Sequence, residues 1–170
     1  LALVEKISSS NRFFHWELCF ADIFSRREGF DLVLGNPPWI KLTWSEAGVL
    51  ADRDPKLSIR SYSATKMAAE RLISFNKYSG LLDTWLTDLV QAEGGQSFLS
   101  ASTNYQALSG AKSNLYKAFL PLSWGLSAEL GVSGFVHPEG VYDDPKGGRL
   151  RSQVYRRLTS HFQFQNERAL

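Results

Sequence analysis

The stretch GFDLVLGNPPWIKL, Gly29 to Leu42, constrains the fold more than any other part of the chain. Phe30 to Gly35 is a short apolar run, the pattern of a buried strand in a parallel sheet covered on both faces by helices. It stops at Asn36-Pro37-Pro38-Trp39. Neither proline has an N–H to give to a ladder or a helix. A residue before proline is pushed into extended geometry, which applies to both Asn36 and Pro37. Their carbonyls and the Asn36 side-chain oxygen form a rigid cluster of acceptors at a strand end, and Trp39 can set a large aromatic face beside it.

Acceptors next to an aromatic plate suit a planar group bearing an NH₂. Two acceptors take both hydrogens of the amine, which draws its lone pair less into the ring and makes the nitrogen more nucleophilic. Stacking holds the ring, at about 1–3 kcal/mol per base. The competing reading is a strand-ending turn with a packed tryptophan, and a buried strand running directly into the motif weighs against it.

Along the rest of the chain, the aromatic-rich FFHWELCFADIF reads as a short strand near Trp16 to Phe20, ending at Asp22. Residues 41–62 read as loop, with at most a helical turn near Ser45 to Leu50. Met67, Leu72 and Phe75 predict a helix from Ser63 to about Lys77. Leu81, Leu82, Trp85, Leu86, Leu89 and Val90 predict another, ended by Gly94-Gly95. Ser113 is a candidate N-cap. Leu115, Phe119, Leu122, Leu126 and Leu130 then mark a helix that Pro121 should kink or split and Gly131 should close. VSGFV is a strand ending at His137-Pro138, Leu150, Val154 and Leu158 mark a helix, and HFQFQ alternates as a strand. Strands alternating with helices imply an α/β fold with a mostly parallel sheet, and ligands of such sheets bind beyond the carboxyl ends of the strands. Asp22, Asn36 and His137 all fall at such ends in this reading.

The 170 residues suffice for one domain with a core, and no apolar run reaches the ~18–20 residues of a membrane span. The single cysteine, Cys19, excludes an internal disulfide and fits a reducing cytoplasm, and no Cys/His cluster has metal-site spacing. The net charge of +2 is unevenly spread: residues 53–78 hold six bases against two acids, and residues 137–170 hold six against four. Two basic segments suit a polyanion on one side of the molecule.

GFDLVLGNPPW resembles motif IV of amino-methylating, S-adenosylmethionine-dependent methyltransferases, most closely the N6-adenine DNA methyltransferases of bacterial restriction-modification and phage-defence systems, in their single-chain type IIG-like group. The resemblance covers residues ~13–45 and ~113–167; residues ~46–112 match nothing in the group. It implies a partial Rossmann-like sheet with a helical insertion at 43–112, in a single domain over 1–170. It also implies that Asn36 and the Pro37 carbonyl bind the adenine N6 amine, with Pro38 stiffening the turn and Trp39 stacked on the flipped base. Asp22 would be the acidic cofactor contact, His137 and Pro138 would lie near the target base, and Arg53, Lys56, Arg60, Lys66 and Arg71 would meet DNA phosphates. The family's glycine-rich cofactor loop has no counterpart ahead of Asp22. The expectation is therefore a catalytic-domain fragment of a bacterial cytoplasmic enzyme, with an incomplete S-adenosylmethionine site, double-stranded DNA as partner, and a sheet edge open to self-association. Two alternatives stay open. One is a protein glutamine N5-methyltransferase, whose target is also a planar NH₂. The other is a non-catalytic fragment acting as an interaction module.

Overall fold

The aromatic stretch before the Asn-Pro-Pro-Trp motif is helical, not extended. In the computed structural model, which describes residues 1–110 and 114–164, α1 covers Ala2–Asn11, α2 Trp16–Cys19 and α3 Ala21–Arg27. The strand expected near Trp16 to Phe20 does not form, and Asp22 sits in the first turn of α3 rather than at a strand end. Trp16, Phe20 and Phe24 recur every four residues, which aligns them along one side of a helical path. All three rings meet Phe30 edge-on, with centroids 6.0, 5.3 and 5.4 Å away. A strand would space these residues about 13 Å apart, too far for all three rings to reach the one Phe30 ring.

Glu28 in the left-handed region (φ 60°) and Gly29 (φ 150°) turn the chain into β1, Phe30–Gly35. Its partner is β2, Ser127–Phe135, and the two run parallel with Leu32 opposite Val132 and Gly35 opposite Phe135. These two strands make the whole sheet among the described residues. The register slips between Phe30 and Leu32, where Gly131 passes so close that a Cβ would stand 2.5 Å from the Phe30 carbonyl oxygen. The helix expected through Leu130 with a Gly131 cap is therefore shorter: α8 covers Leu115–Leu126 with Pro121 inside it, and Leu130 and Gly131 belong to the strand. Ser127 marks the switch, its hydroxyl donating to the Ser123 carbonyl at 2.8 Å. The proposed Ser113 cap lies outside the described residues. β1 is also less buried than its apolar sequence implies, with Leu32 56% and Leu34 70% exposed. Mixed helices and a parallel strand pair are consistent with an α/β fold.

The described chain divides into two compact units. Leu1–Trp39 with Tyr116–Pro138 make the strand-bearing unit, and Ile40–Leu115 with Glu139–Leu170 make a helical one. The helical unit contains α4 (Glu46–Ala51), α5 (Lys56–Ile59), α6 (Ala64–Lys77), α7 (Leu81–Ser100), a 3₁₀ turn (Gln106–Leu108), α9 (Gly140–Asp143) and α10 (Gly148–Arg157). Its core joins Leu50, Leu57 and Leu81, with Tyr62, Met67, Phe75, Tyr78 and Trp85 packed against them. Ser63 caps α6, its hydroxyl accepting from the Lys66 amide at 3.3 Å.

Two sequence expectations fail in this unit. Gly94-Gly95 does not end α7, which runs on to Ser100. Beyond the pair Leu99 is buried, and the Gln96 amide donates to the Leu42 carbonyl. At Gly95 a Cβ would come within 3.2 Å of Leu42 Cδ1, so glycine serves a close approach there. Tertiary contacts thus outweigh a helix penalty of about 1 kcal/mol per glycine. Residues 161–164 of HFQFQ form no strand, and Phe162 and Phe164 are exposed. A period-two pattern needs a neighbouring edge to pair with, and His161 instead lies 4.4 Å from the Tyr142 ring. Gln165 lies outside the described residues.

Arg71 on α6 reaches Glu46 on α4 at 2.7 Å, with the two side chains 30% and 23% exposed. Its guanidinium also lies over the Trp85 ring at 5.5 Å. A double-mutant cycle of Arg71→Ala and Glu46→Ala, read by urea unfolding, is expected to return a coupling of about 1 kcal/mol, near the top of the range for ion pairs with some exposure. A coupling near zero would make the pair incidental. No helix among the described residues is long and apolar enough to cross a membrane.

Candidate functional site

The two parallel strands end side by side, and the motif hangs from that edge. Past the last strand pair, the Val136 amide donates to the Gly35 carbonyl at 3.1 Å, carrying the ladder one step further. Asn36 is exposed and Pro37 buried, so the first proline seats the turn while the amide faces outward. Pro38 is exposed. Trp39 is 54% exposed, and its indole Nε1–H donates to the Val136 carbonyl at 3.3 Å. The ring is thereby tethered across the strand pair with much of its surface open. No hydrogen bond from the described residues reaches the Asn36 side chain or the Pro37 carbonyl oxygen. A turn that merely reversed the chain would spend those acceptors on neighbouring main chain.

His137 lies just beyond the end of β2. His137 stacks on Tyr116 with centroids 5.6 Å apart and planes 9° from parallel, and its Nδ1 is 2.8 Å from the Pro138 carbonyl oxygen. That oxygen can only accept, so Nδ1 carries the proton in this contact. Tyr116 is almost wholly buried. Neither contact is visible in the sequence, because Trp39 and Val136, and Tyr116 and His137, are far apart in the chain.

Asp22 is not brought to this edge. It lines a shallow depression with Ile23, Arg26, Arg27, Phe30 and Asp31, at the amino end of β1. A six-residue strand separates that end from Asn36, a span of roughly 20 Å. Arg27 there pairs with Asp31 at 2.6 Å on the exposed surface.

Nor do the described residues fit S-adenosylmethionine. Such a cofactor needs a glycine-rich turn whose backbone amides can approach it closely. At the carboxyl edge the glycine spaces are already occupied: a Cβ on Gly35 would meet the Phe135 ring at 3.3 Å and one on Gly134 would meet Leu34 at 2.8 Å. Gly94-Gly95 lies within α7, and a Cβ on Gly147 would meet the Arg151 guanidinium at 3.1 Å. Among the described residues no group of His, Cys, Asp and Glu could hold a metal ion.

The basic residues of segment 53–78 all fall in the helical unit. Arg53, Lys56, Arg60 and Lys66 are exposed, whereas Arg71 is drawn into its pair with Glu46. Lys56 and Arg60 are four residues apart across α5, and Lys66 Nζ lies 4.6 Å over the Tyr62 ring. The Lys77 ammonium is held above the ordinary lysine pKa, first by its side-chain hydrogen bond to Tyr78 and next by the charge of that phenol.

Residues 3–82 match the family model of the Eco57I restriction-modification methylases. The match spans the whole Asn-Pro-Pro-Trp motif and supports a restriction-modification methylase family for this chain. No curated protein and no solved structure matches it.

Proposed function

We propose that the carboxyl edge of the strand pair is the target-base site of a DNA adenine-N6 methyltransferase. The observation that carries this reading is the state of the motif: Asn36 outward, the Pro37 oxygen unspent among the described residues, and the Trp39 ring tethered beside them with half its surface open. The family match to restriction-modification methylases makes DNA the substrate to consider first.

An adenine inside a duplex hides its amine in a base pair, so it must be extruded, at a cost of a few kcal/mol. Trp39 then offers a face to stack on, and the Asn36 and Pro37 oxygens take the two amine hydrogens. Positioning of this kind supplies rate without a covalent intermediate. Arg53, Lys56, Arg60 and Lys66 are the phosphate contacts in this reading, and Arg71 braces α6 against α4. Asp22 takes no part, since it lies at the other end of the strand. S-adenosylmethionine, the methyl donor that methylases use in general, finds no cradle among these residues, so the reading stops at the acceptor amine.

The test therefore needs no donor. Two duplexes are compared by competition binding, each with one purine nucleotide opposite an abasic gap to remove most of the extrusion cost. One carries adenine, the other purine without the amine. Two hydrogen bonds at about 0.5–1.5 kcal/mol each predict a preference for adenine of roughly 5- to 150-fold. Equal binding of the two duplexes would rule out amine recognition.

A further inference from the structure

We infer that the outer face of α10 is a second phosphate-binding surface, one that lies along the backbone of duplex DNA. The inference rests on the proposed DNA substrate but uses none of the residues assigned above. α10 reads GRLRSQVYRR and contains four arginines and no acid. Leu150 and Val154 are buried and fix its inner side. At 100° per residue, Arg149, Ser152, Tyr155 and Arg156 fall on the opposite side, and all four are exposed.

Arg149, Tyr155 and Arg156 are of the types that bond phosphate oxygens, while the Ser152 hydroxyl between them donates to the Arg149 carbonyl at 2.8 Å. Arg149 and Arg156 stand seven residues apart, or about 10.5 Å along the axis, which brackets more than one phosphate step. Arg151, off that stripe, is already committed: its guanidinium donates to the Asp144 carbonyl ahead of the helix. The stripe is thus set apart from the arginine that holds the helix in place. Tyr155 is backed by Tyr142, stacked at 6.4 Å with planes 15° apart. A face whose only charges are positive, with a supported phenol beside them, is complementary to a polyanion.

Binding of the full chain to a 20-base-pair duplex of mixed sequence, followed by fluorescence anisotropy across a salt series, tests this. The double variant Arg149→Gln/Arg156→Gln is expected to lower the slope of log K against log salt by about 2. At 0.1 M salt the affinity should fall on the order of tenfold per lost contact, by the same amount on every sequence. Ser152→Glu, which adds a negative charge to the same exposed stripe, should weaken binding as well. An unchanged slope in both variants, with helix content intact by circular dichroism, overturns the α10 surface, as does a chain that does not bind DNA. The adenine-over-purine preference separates the two readings. If the variants keep both that preference and the full slope, α10 alone is excluded; if the slope falls but wild-type chain shows no preference, the target-base reading fails and the surface stands.

Discussion

Asn36→Ala is expected to erase most of the preference for extruded adenine over purine while leaving the urea midpoint where it was. The two halves of this result have separate causes. Asn36 is exposed and no described residue bonds its side chain, so truncation removes no internal contact and opens no cavity. On binding, the amide oxygen would accept one amine hydrogen, and removing it leaves a donor unpaired against protein. An unsatisfied group of that kind costs about 1–3 kcal/mol, or roughly 5- to 150-fold in affinity. Purine, lacking the amine, should lose little. Asn36→Asp keeps an acceptor in nearly the same place and should retain much of the preference. A full preference in the alanine variant would remove Asn36 from the site, and a lowered midpoint would mark it as a structural residue.

Gly29→Ala should strike the fold instead. Gly29 holds φ at 150°, a backbone region that L side chains rarely adopt, and an added Cβ would stand 2.6 Å from both the Ala128 nitrogen and the Ser127 carbonyl carbon and 2.7 Å from the Leu126 oxygen. All three are main-chain atoms at the junction of α8 and β2, so no side chain can rotate to make room. Backbone strain alone costs about 1–3 kcal/mol. With the overlap added, the change should reach about 3–5 kcal/mol, the range reserved for a few severe mechanisms. With a urea slope of about 1–3 kcal/mol per molar, the midpoint should drop by at least about 1 M. Gly94→Ala is the contrasting change. Nothing lies within 4 Å of its would-be Cβ inside α7, so alanine should stabilise by about 0.5–1 kcal/mol. A midpoint for Gly29→Ala close to that of the unaltered chain would mean that β1 and β2 do not meet as described.

The consequence for the site follows from the same geometry. Trp39 is aimed by the Val136 carbonyl, and that contact depends on the register that seats Gly35 against Phe135. Loss of the Gly29 turn would release the tether that orients the indole without touching any residue of the motif.

Residue types and spacing alone set the local features of this chain. They marked β1 and its stop at Asn36, because two prolines forbid continuation whatever surrounds them. They marked α6 and the helix over Leu150 and Val154, where apolar residues recur at helical spacing. They marked the motif as a set of unspent acceptors, since that chemistry follows from residue type. Tertiary structure decided the rest. The stretch holding Trp16, Phe20 and Phe24 folds as two short helices because Phe30 gives their shared side something to pack on. α7 crosses Gly94-Gly95 because Gln96 and Leu99 are held from outside the helix. Leu130 and Gly131 left a helical pattern for the strand that pairs with β1, whereas His161 lies near the Tyr142 ring and 161–164 form no strand. Asp22, placed by spacing at a strand end, went with the helix to the far end of β1. In each case a local preference of about 1 kcal/mol met long-range contacts worth more, and such contacts lie between residues far apart in the chain, where periodicity carries no signal.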